Sequence, residues 1–375
     1  MKTKKVLFVS PLPPPFYGSA MSSRFCLQIL QEDEEFNVNN IQTNYSESFD
    51  DLGKITFKKV FGIVKVIIKI LWLSISKRPD IVYIMPATAG FGFIRDFTFS
   101  ILLRFLNKNI IYHLRTQITE NEKKSGFKNF IFKKAFHNCK IIVLGKELKK
   151  DISEYFAEGN IYILNNAIAK TLTSEEYEKI ESERLQASKL RLIYVSNMMI
   201  SKGWPKAIGA ANILNKQNLD FTLTFAGSWP SKKEETEFYR LIEKYGLTER
   251  INYLGYINDE QRHDLLSHSD VLVFPTEYKY EAFPRVIIES MEYGLPAITT
   301  TNGSIPSMVV HNKTGFLLSS VIPEEIARHA SHLLEDRKKL VAIGNEARKR
   351  FIERFEKSVY RKNFTKILNE VIRRI

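Results

Sequence analysis

Short runs of apolar, largely β-branched residues recur along the chain, and most are followed by a stretch with helical spacing. In the first half the runs are Val6–Ser10, Asp80–Ile84, Ile110–Leu114, Ile141–Leu144 and Tyr162–Leu164, with a helix expected over Ser19–Gln31. In the second half they are Leu192–Val195, Phe221–Ala226, Ile251–Leu254, Val271–Phe274, Ala297–Thr300 and Gly315–Leu317. Helical patterns follow at Trp204–Gln217, Glu234–Tyr245, Asp259–His268 and from about Pro284, and the chain reads as helical from Pro323 to its end. Strands buried on both faces and alternating with helices form parallel sheets with crossover helices. The expected fold is therefore α/β, with two doubly wound, Rossmann-like domains facing a central cleft. The charged stretch 171–190 reads as a linker or surface helix, which places the boundary between a domain of residues 1–170 and one of residues 171–357.

A chain of 375 residues suits two such domains. Its two cysteines, Cys26 and Cys139, form neither a disulfide framework nor a metal-ligand cluster, so a reducing cytoplasm is expected. The basic start leads into a strand and prolines, not a signal peptide. The net charge of +13 is uneven. Residues 1–170 carry 25 Lys and Arg against 15 Asp and Glu, or +10, and residues 171–375 carry 30 against 27, or +3. The first half is the one expected to meet an anionic surface. No nucleic-acid recognition module is present in the pattern, so nucleic acid is not an expected partner.

The segment Asp270–Gly294 carries the richest chemistry: strand, polar loop, helix, with Pro284 in the first helical turn and Gly294 and Pro296 ending the helix. Glu281 lies in the loop and Glu289 inside the helix. A helix N-terminus between two carboxylates is a seat for a ligand with phosphates in the middle and hydroxyls at both ends, the layout of a nucleotide sugar. Four more loops follow strand ends in the same half: Ser201-Lys202-Gly203, Gly227-Ser228, Gly255-Tyr256 and Thr301–Ser304. Ligands of open α/β sheets bind at the carboxyl ends of strands. Each loop alone is an ordinary turn; together they outline a site. Gly18-Ser19, in the loop Pro11–Gly18 and the start of the next helix, is the corresponding feature of the first half, as a phosphate or acceptor contact or as a plain turn.

This pattern resembles the retaining GT-B glycosyltransferases of family 4, the glycosyl transferases group 1. The motifs that carry it are Glu281-AFPRVII-Glu289 followed by SMEYGLPAITT, SKG at Ser201–Gly203, YLGYINDEQRHDLLSHSDVLVFPT at Tyr253–Thr276 and GSIPSMVVHNKTGFLL at Gly303–Leu318. The resemblance implies that Glu281 binds donor-sugar hydroxyls and Glu289 ribose hydroxyls. It implies that the backbone N–H groups of Phe283, Arg285 and Val286 meet the phosphates, that Lys202 neutralises the leaving diphosphate, and that Tyr256 borders the base beside Gly227. It also implies a reaction with retention that needs no metal and no cofactor, the nucleotide sugar being a co-substrate, with the departing phosphate helping to deprotonate the acceptor. The last helix, about 358–375, would return to the first domain through Tyr360, Phe364, Ile367 and Val371.

The chain departs from the family pattern at Asn197, where arginine is usual five residues before the lysine. Arg285 or Arg115 would compensate. In Tyr112-His113-Leu114-Arg115-Thr116, alternation puts His113 and Arg115 on one side, Arg115 in the slot normally filled by histidine or His113 buried and structural. Gly18-Ser19 replaces a glycine pair, Pro284 a glycine and Ser307 a glutamate. Outside the motifs, Lys58–Arg78 is a basic, strongly apolar helix in which Lys58, Lys65 and Lys69 fall near one face, with Phe61, Val64, Ile68 and Trp72 elsewhere. It fits a helix packed on a sheet with a basic edge, or one lying on an anionic bilayer. Lys123–Lys140 has the same ambiguity. The expected activity is transfer of a sugar from a UDP- or GDP-linked donor to a saccharide acceptor, lipid-linked, in bacterial surface polysaccharide assembly, by a cytoplasmic protein peripheral on the membrane. The alternatives are a nucleotide-sugar epimerase of the same fold and a non-catalytic membrane-surface binding protein.

Overall fold

Six parallel strands form the sheet of the first half: β1 (Lys4–Ser10), β2 (Phe36–Gln42), β3 (Ile81–Ile84), β4 (Ile110–His113), β5 (Lys140–Val143) and β6 (Ile161–Ile163), in the spatial order β2-β1-β3-β4-β5-β6. β3 and β4 are buried along their whole length, as continuous apolar runs require when helices cover both faces. The computed structural model describes residues 3–14, 18–44, 57–87, 90–119 and 123–374, without the side chains of residues 57–60, 90 and 91. Residues 15–17 of the proline loop and the Lys58 side chain lie outside that description. β2 is a strand that apolar periodicity does not announce. Its sequence FNVNNIQ holds three asparagines, and it pairs only with β1 at the edge of the sheet, where one strand neighbour suffices.

The helices of this unit are α1 (Gly18–Gln31), α2 (Phe57–Ser76), α3 (Gly90–Phe105) and α4 (Gly126–Phe136). The chain moves one way along the sheet from β2 through β3 and β4 to β5, so right-handed crossovers place α2, α3 and α4 on one face. α2 packs beside α3, and α3 beside α4. The structure corrects the expected split of α2 into a basic and an apolar edge. Its inner face is Gly62, Val66, Ile70, Leu73 and Ser74, all buried, while Phe61, Val64, Ile68 and Trp72 are exposed on the same outer side as Lys65 and Lys69. No helix among the described residues is long and apolar enough to cross a membrane.

The second sheet contains β7 (Leu190–Val195), β8 (Phe221–Ala226), β9 (Ile251–Tyr253), β10 (Val271–Phe274), β11 (Ala297–Thr299) and β12 (Gly315–Leu317), in the order β12-β11-β10-β7-β8-β9. Before it, of the two readings of residues 171–190 the helix holds: α5 (Ser174–Gln186) is opened by a Thr173–Glu176 capping box and buries Tyr177, Ile180 and Arg184. Between strands run α6 (Trp204–Lys216), α7 (Lys232–Lys244), α8 (Asp259–Ser267), α9 (Arg285–Glu292) and the single-turn α10 (Ile305–Met308). The stretch expected to be helical from Pro323 is three helices: α11 (Pro323–Glu335), α12 (Arg337–Arg354) and α13 (Lys357–Arg373), the last close to the helix expected at about 358–375. Asp336 breaks the first pair apart and caps α12 by accepting a hydrogen bond from the Lys339 N–H at 2.9 Å.

By its contacts the chain divides into two units, Met1–Leu164 with Arg361–Ile375, and Asn165–Tyr360. The unit boundary falls inside α13, whose Tyr360, Phe364, Ile367 and Val371 are all buried. In the first unit the Phe364 ring meets Tyr83 edge-on at 5.5 Å, covering β3.

One packing detail of the second unit makes it sensitive to acid. His329 of α11 stacks on Phe316 of β12 with ring centroids 4.4 Å apart. Burial, followed by the charge of Arg328, pulls its pKa down to about 4, with Glu325, His311 and His332 also facing it. An unfolded histidine titrates near 6.5. Between these values the unfolded chain binds the extra proton, so the stabilisation is fully present above about 6.5 and is lost as pH falls toward 4. Lowering pH from 7.5 to 5 is expected to cost about 1–2 kcal/mol more in the wild type than in His329→Gln, read as urea midpoints at the two pH values.

Candidate active site

The sheet order of the second unit decides where a ligand belongs. β7 and β10 are neighbours, yet from β7 the chain proceeds to β8 on one side and later to β10 on the other. Such a reversal splays the following loops apart and leaves a crevice at the carboxyl ends of the strands. The loops after β7 and β10 are the two that carry Lys202 and Glu281.

Backbone contacts hold these loops in register. After β7 the chain makes a short 3-10 turn, Ile200–Lys202, and reverses at Gly203, whose φ of +90° lies in the left-handed region. A Cβ on Gly203 would sit 2.2 Å from the Pro275 carbonyl oxygen, so only glycine lets the two loops approach this closely. The Glu277 N–H then donates to Ser201 O at 2.9 Å, and Lys206 pairs with Glu277. Gly227, after β8, is as constrained: a Cβ there would lie 1.8 Å from Ser196 O, its N–H donates to Gly255 O at 2.8 Å, and its carbonyl accepts from the Tyr253 hydroxyl at 2.8 Å. On the other side, Thr300 Oγ1 donates to Thr276 O and Asn302 Nδ2 to Tyr278 O, each at 2.8 Å, which ties the loop after β11 to the loop after β10.

Lys202 and Glu281, 79 positions apart, meet in this frame: the lysine Nζ donates to Glu281 Oε2. Glu281 is 7% exposed and also accepts from the Thr276 hydroxyl at 3.4 Å. The ammonium lies 4.6 Å from the centre of the Tyr278 ring and 5.7 Å from that of Phe274. Two aromatic faces and a carboxylate therefore fix one cation at the switch point, in a largely buried carboxylate–ammonium pair. Below them the Tyr194 hydroxyl is fully buried, and that burial raises its pKa well above the usual phenol value, so it stays protonated.

α9 begins at Arg285, with Pro284 at the N-cap (φ −68°, ψ 119°) and not inside the first turn. Its first backbone N–H groups, those of Arg285 and Val286 among them, have no acceptor within the helix. Phe283 is buried, and its carbonyl accepts from Asn166 Nδ2 at 3.1 Å, fixing the entry to the helix. One turn on, Glu289 lies 3.6 Å from Arg285 Nη2, so the helix carries its own i, i+4 ion pair at this end. Asn197 is exposed beyond β7, and Tyr256 is 77% exposed beyond β9, its ring open to solvent.

The candidate residues of the first unit have another setting. His113, at the end of β4, is 0% exposed. Arg115 donates to its Nε2 at 3.2 Å, so the remaining proton sits on Nδ1 and points at the Tyr83 hydroxyl. Burial and then the Arg115 charge push the His113 pKa well below the usual histidine value. It is a neutral, buried orienter of Arg115, which is half-buried. Gly18 is exposed at the first turn of α1, with open space where a Cβ would stand, and the Ser19 carbonyl accepts from Ser23 Oγ at 2.9 Å. Among the described residues no group of three or more His, Cys, Asp or Glu is arranged to hold a metal ion.

Sequence reasoning missed Thr276 and Tyr278. Both lie in the segment already singled out, and a hydroxyl and an aromatic flanking a strand-end loop were the available signal. What they contribute, the orientation of Glu281 and Lys202, depends on the fold of the loop.

Residues 175–350 match the family model described as glycosyl transferases group 1. The second unit is a glycosyl transferases group 1 domain. Curated relatives include an N-acetyl-alpha-D-glucosaminyl L-malate synthase from Bacillus anthracis, 28% identical over 204 residues (54% of this chain, 50% of that protein). The capsular polysaccharide biosynthesis glycosyltransferase CapM from Staphylococcus aureus is 25% identical over 315 residues (80% of this chain, 79% of that protein). The chain spans about half the length of most curated relatives it matches, 57%, 40% and 50% for three of them. Among solved structures, HepE from Anabaena in complex with UDP superposes with a TM-score of 0.74 at 17% identity, covering 98% of this chain and 100% of that one. That likeness establishes the fold, GT-B, with one Rossmann-like sheet in each of the two units. The group 1 domain places its SKG turn and Glu281 in the loops at the strand ends around the switch point, and Glu289 inside α9.

Proposed function

We propose that the protein is a retaining, metal-independent glycosyltransferase that moves a sugar from a nucleoside-diphosphate sugar to a saccharide acceptor. The observation that carries this reading is the Lys202–Glu281 pair at the switch point beside the N-terminus of α9. A diphosphate takes Lys202 and the first-turn N–H groups of α9, and hydroxyls of the donor sugar take Glu281 in place of the lysine. Glu289 turns from Arg285 to the ribose, with Gly227 and Tyr256 bordering the base. The solved relative HepE was crystallised with UDP and with UDP-glucose, which favours uridine as the first base to test. In the reaction the glycosidic carbon leaves the diphosphate, and the cation and N–H groups hold the charge that develops on the leaving phosphate. The leaving oxygen takes the acceptor proton as the new bond forms on the same face. His113 keeps Arg115 oriented on the acceptor-binding unit.

Names of relatives favour surface polysaccharide assembly, CapM among them. A lipid-linked acceptor and a cytoplasmic protein peripheral on the membrane complete the proposal. The test is a melting-temperature panel of UDP, GDP and their sugars, read through Trp204 and Trp229 of the second unit. A ligand at about 100 times its Kd adds roughly 2.7 kcal/mol to the unit that binds it, an upward shift of several degrees. If no nucleotide moves the transition, the donor reading is wrong; if one does and its sugar is epimerised without transfer, the epimerase reading replaces it.

A further inference from the structure

The outer face of the first unit is apolar and basic at once. Along α2, Phe61, Val64, Ile68, Trp72 and Ile75 are exposed at spacings of three and four, a straight stripe about 21 Å long at 1.5 Å per residue. The outer residues are not scattered: exposures of 63%, 60% and 61% at Phe61, Ile68 and Trp72 match a second apolar face on a helix whose first one already packs inward. α4, two helices away in the same layer, presents Phe127 and Phe130, and α3 between them adds Ile94 and Phe105.

The charge around this stripe selects its partner. Residues 57–78 contain six Lys and Arg and no Asp or Glu, and residues 123–140 contain six and none. Lysines lie against the exposed rings: Lys65 Nζ is 4.7 Å from the Phe61 ring centre and Lys134 Nζ 5.8 Å from that of Phe130. Such side chains bury their stems along apolar surface and lift their charge to a boundary. Rings and a tryptophan flanked by ammonium groups, without one acid, match the boundary of an acyl layer below a sheet of phosphates. An ordinary protein partner offers mixed charge, for which this face has no complement.

We propose that the outer faces of α2, α3 and α4 dock the first unit onto an anionic lipid bilayer, with Trp72 at the headgroup–acyl boundary. The surface deepens the reading of a lipid-borne acceptor and rests on it for its purpose, but binding itself depends on the first unit alone. Vesicle binding and nucleotide binding therefore fail separately.

The experiment is flotation of the full chain with phosphatidylglycerol-containing and with pure phosphatidylcholine vesicles at low and high salt, without nucleotide, alongside Trp emission. The expected result is flotation with the anionic vesicles only, weakened by salt, with a blue shift that disappears in Trp72→Phe. Lys65→Glu/Lys69→Glu and Phe61→Ser/Ile68→Ser are each expected to lower binding by at least about tenfold at unchanged melting temperature. The proposal falls if the wild type does not float, if it floats equally with phosphatidylcholine or regardless of salt, or if the charge-reversed variant floats like the wild type. It falls also if the apolar variant converts a dimer to a monomer by light scattering without any vesicle binding, which would make the face a contact between copies.

Discussion

Replacing Lys202 with alanine is expected to lower kcat/KM for the donor that stabilises the protein by about 10²–10³. The lysine is the side-chain cation fixed at the switch point: Tyr278 and Phe274 bracket it, and Glu281 holds its Nζ. Asn197 stands after β7 where the family pattern has an arginine, so the proposed donor site leaves the remaining anion binding to the backbone of α9 and to Arg285, which is already paired to Glu289. A cation acting on charge that develops as the sugar leaves should change kcat more than KM. Glu281→Ala is expected to lose a similar factor through the sugar hydroxyls. The two losses should not add, because removing either residue disrupts the pair the other needs. Steady-state kinetics of both single variants and the double variant read this out. Full activity in both single variants would overturn the assignment and favour a binding protein.

What the sequence made legible depended on distance along the chain. The strand-loop-helix around Glu281 was readable because Val271–Phe274, Pro284, Gly294 and Pro296 punctuate it within one window. That Lys202 touches Glu281 was not, because the contact spans 79 positions and exists only when β10 returns to lie beside β7. β2 escaped because strand propensity reports burial against neighbours, and an edge strand with asparagines on it has little to report. α2 misled for the opposite reason. Its sequence supplies two apolar stripes, and periodicity alone does not say which of them faces the sheet. The decision is made by size: Gly62 and Ser74 let the backbone approach the sheet, and the bulky Phe61 and Trp72 are left outside. For His113, alternation correctly put it with Arg115, but only the packing of Tyr83 shows that its ring is sealed from solvent.

Asp270→Ala is expected to be among the most damaging single changes to the second unit, costing about 3–5 kcal/mol. The residue immediately precedes β10 and is 0% exposed. Its Oδ1 lies 2.8 Å from Arg191 Nη2 and 4.0 Å from Arg184 Nε, and its Oδ2 lies 3.1 Å from Arg337 Nη1. It also accepts from the Arg191 backbone N–H at 2.8 Å, which pins the start of β7 to β10. Arg184 is 2% exposed, and burial lowers its pKa to about 10, with Asp270 the first influence resisting that fall. At neutral pH it is still charged. Alanine at 270 would leave three guanidinium groups facing one another without their carboxylate, and a backbone donor without its acceptor. For a unit of this size the loss corresponds to a melting temperature lower by about 10 °C. Asp270→Asn keeps the shape and a carbonyl acceptor but not the charge, so it should fall between the two. Thermal unfolding followed through Trp204 and Trp229 checks the order. If alanine and wild type melt together, the cluster is not what joins α5, β7, β10 and α12; if asparagine is as damaging as alanine, charge and not the backbone bond is what Asp270 supplies to the switch-point strands.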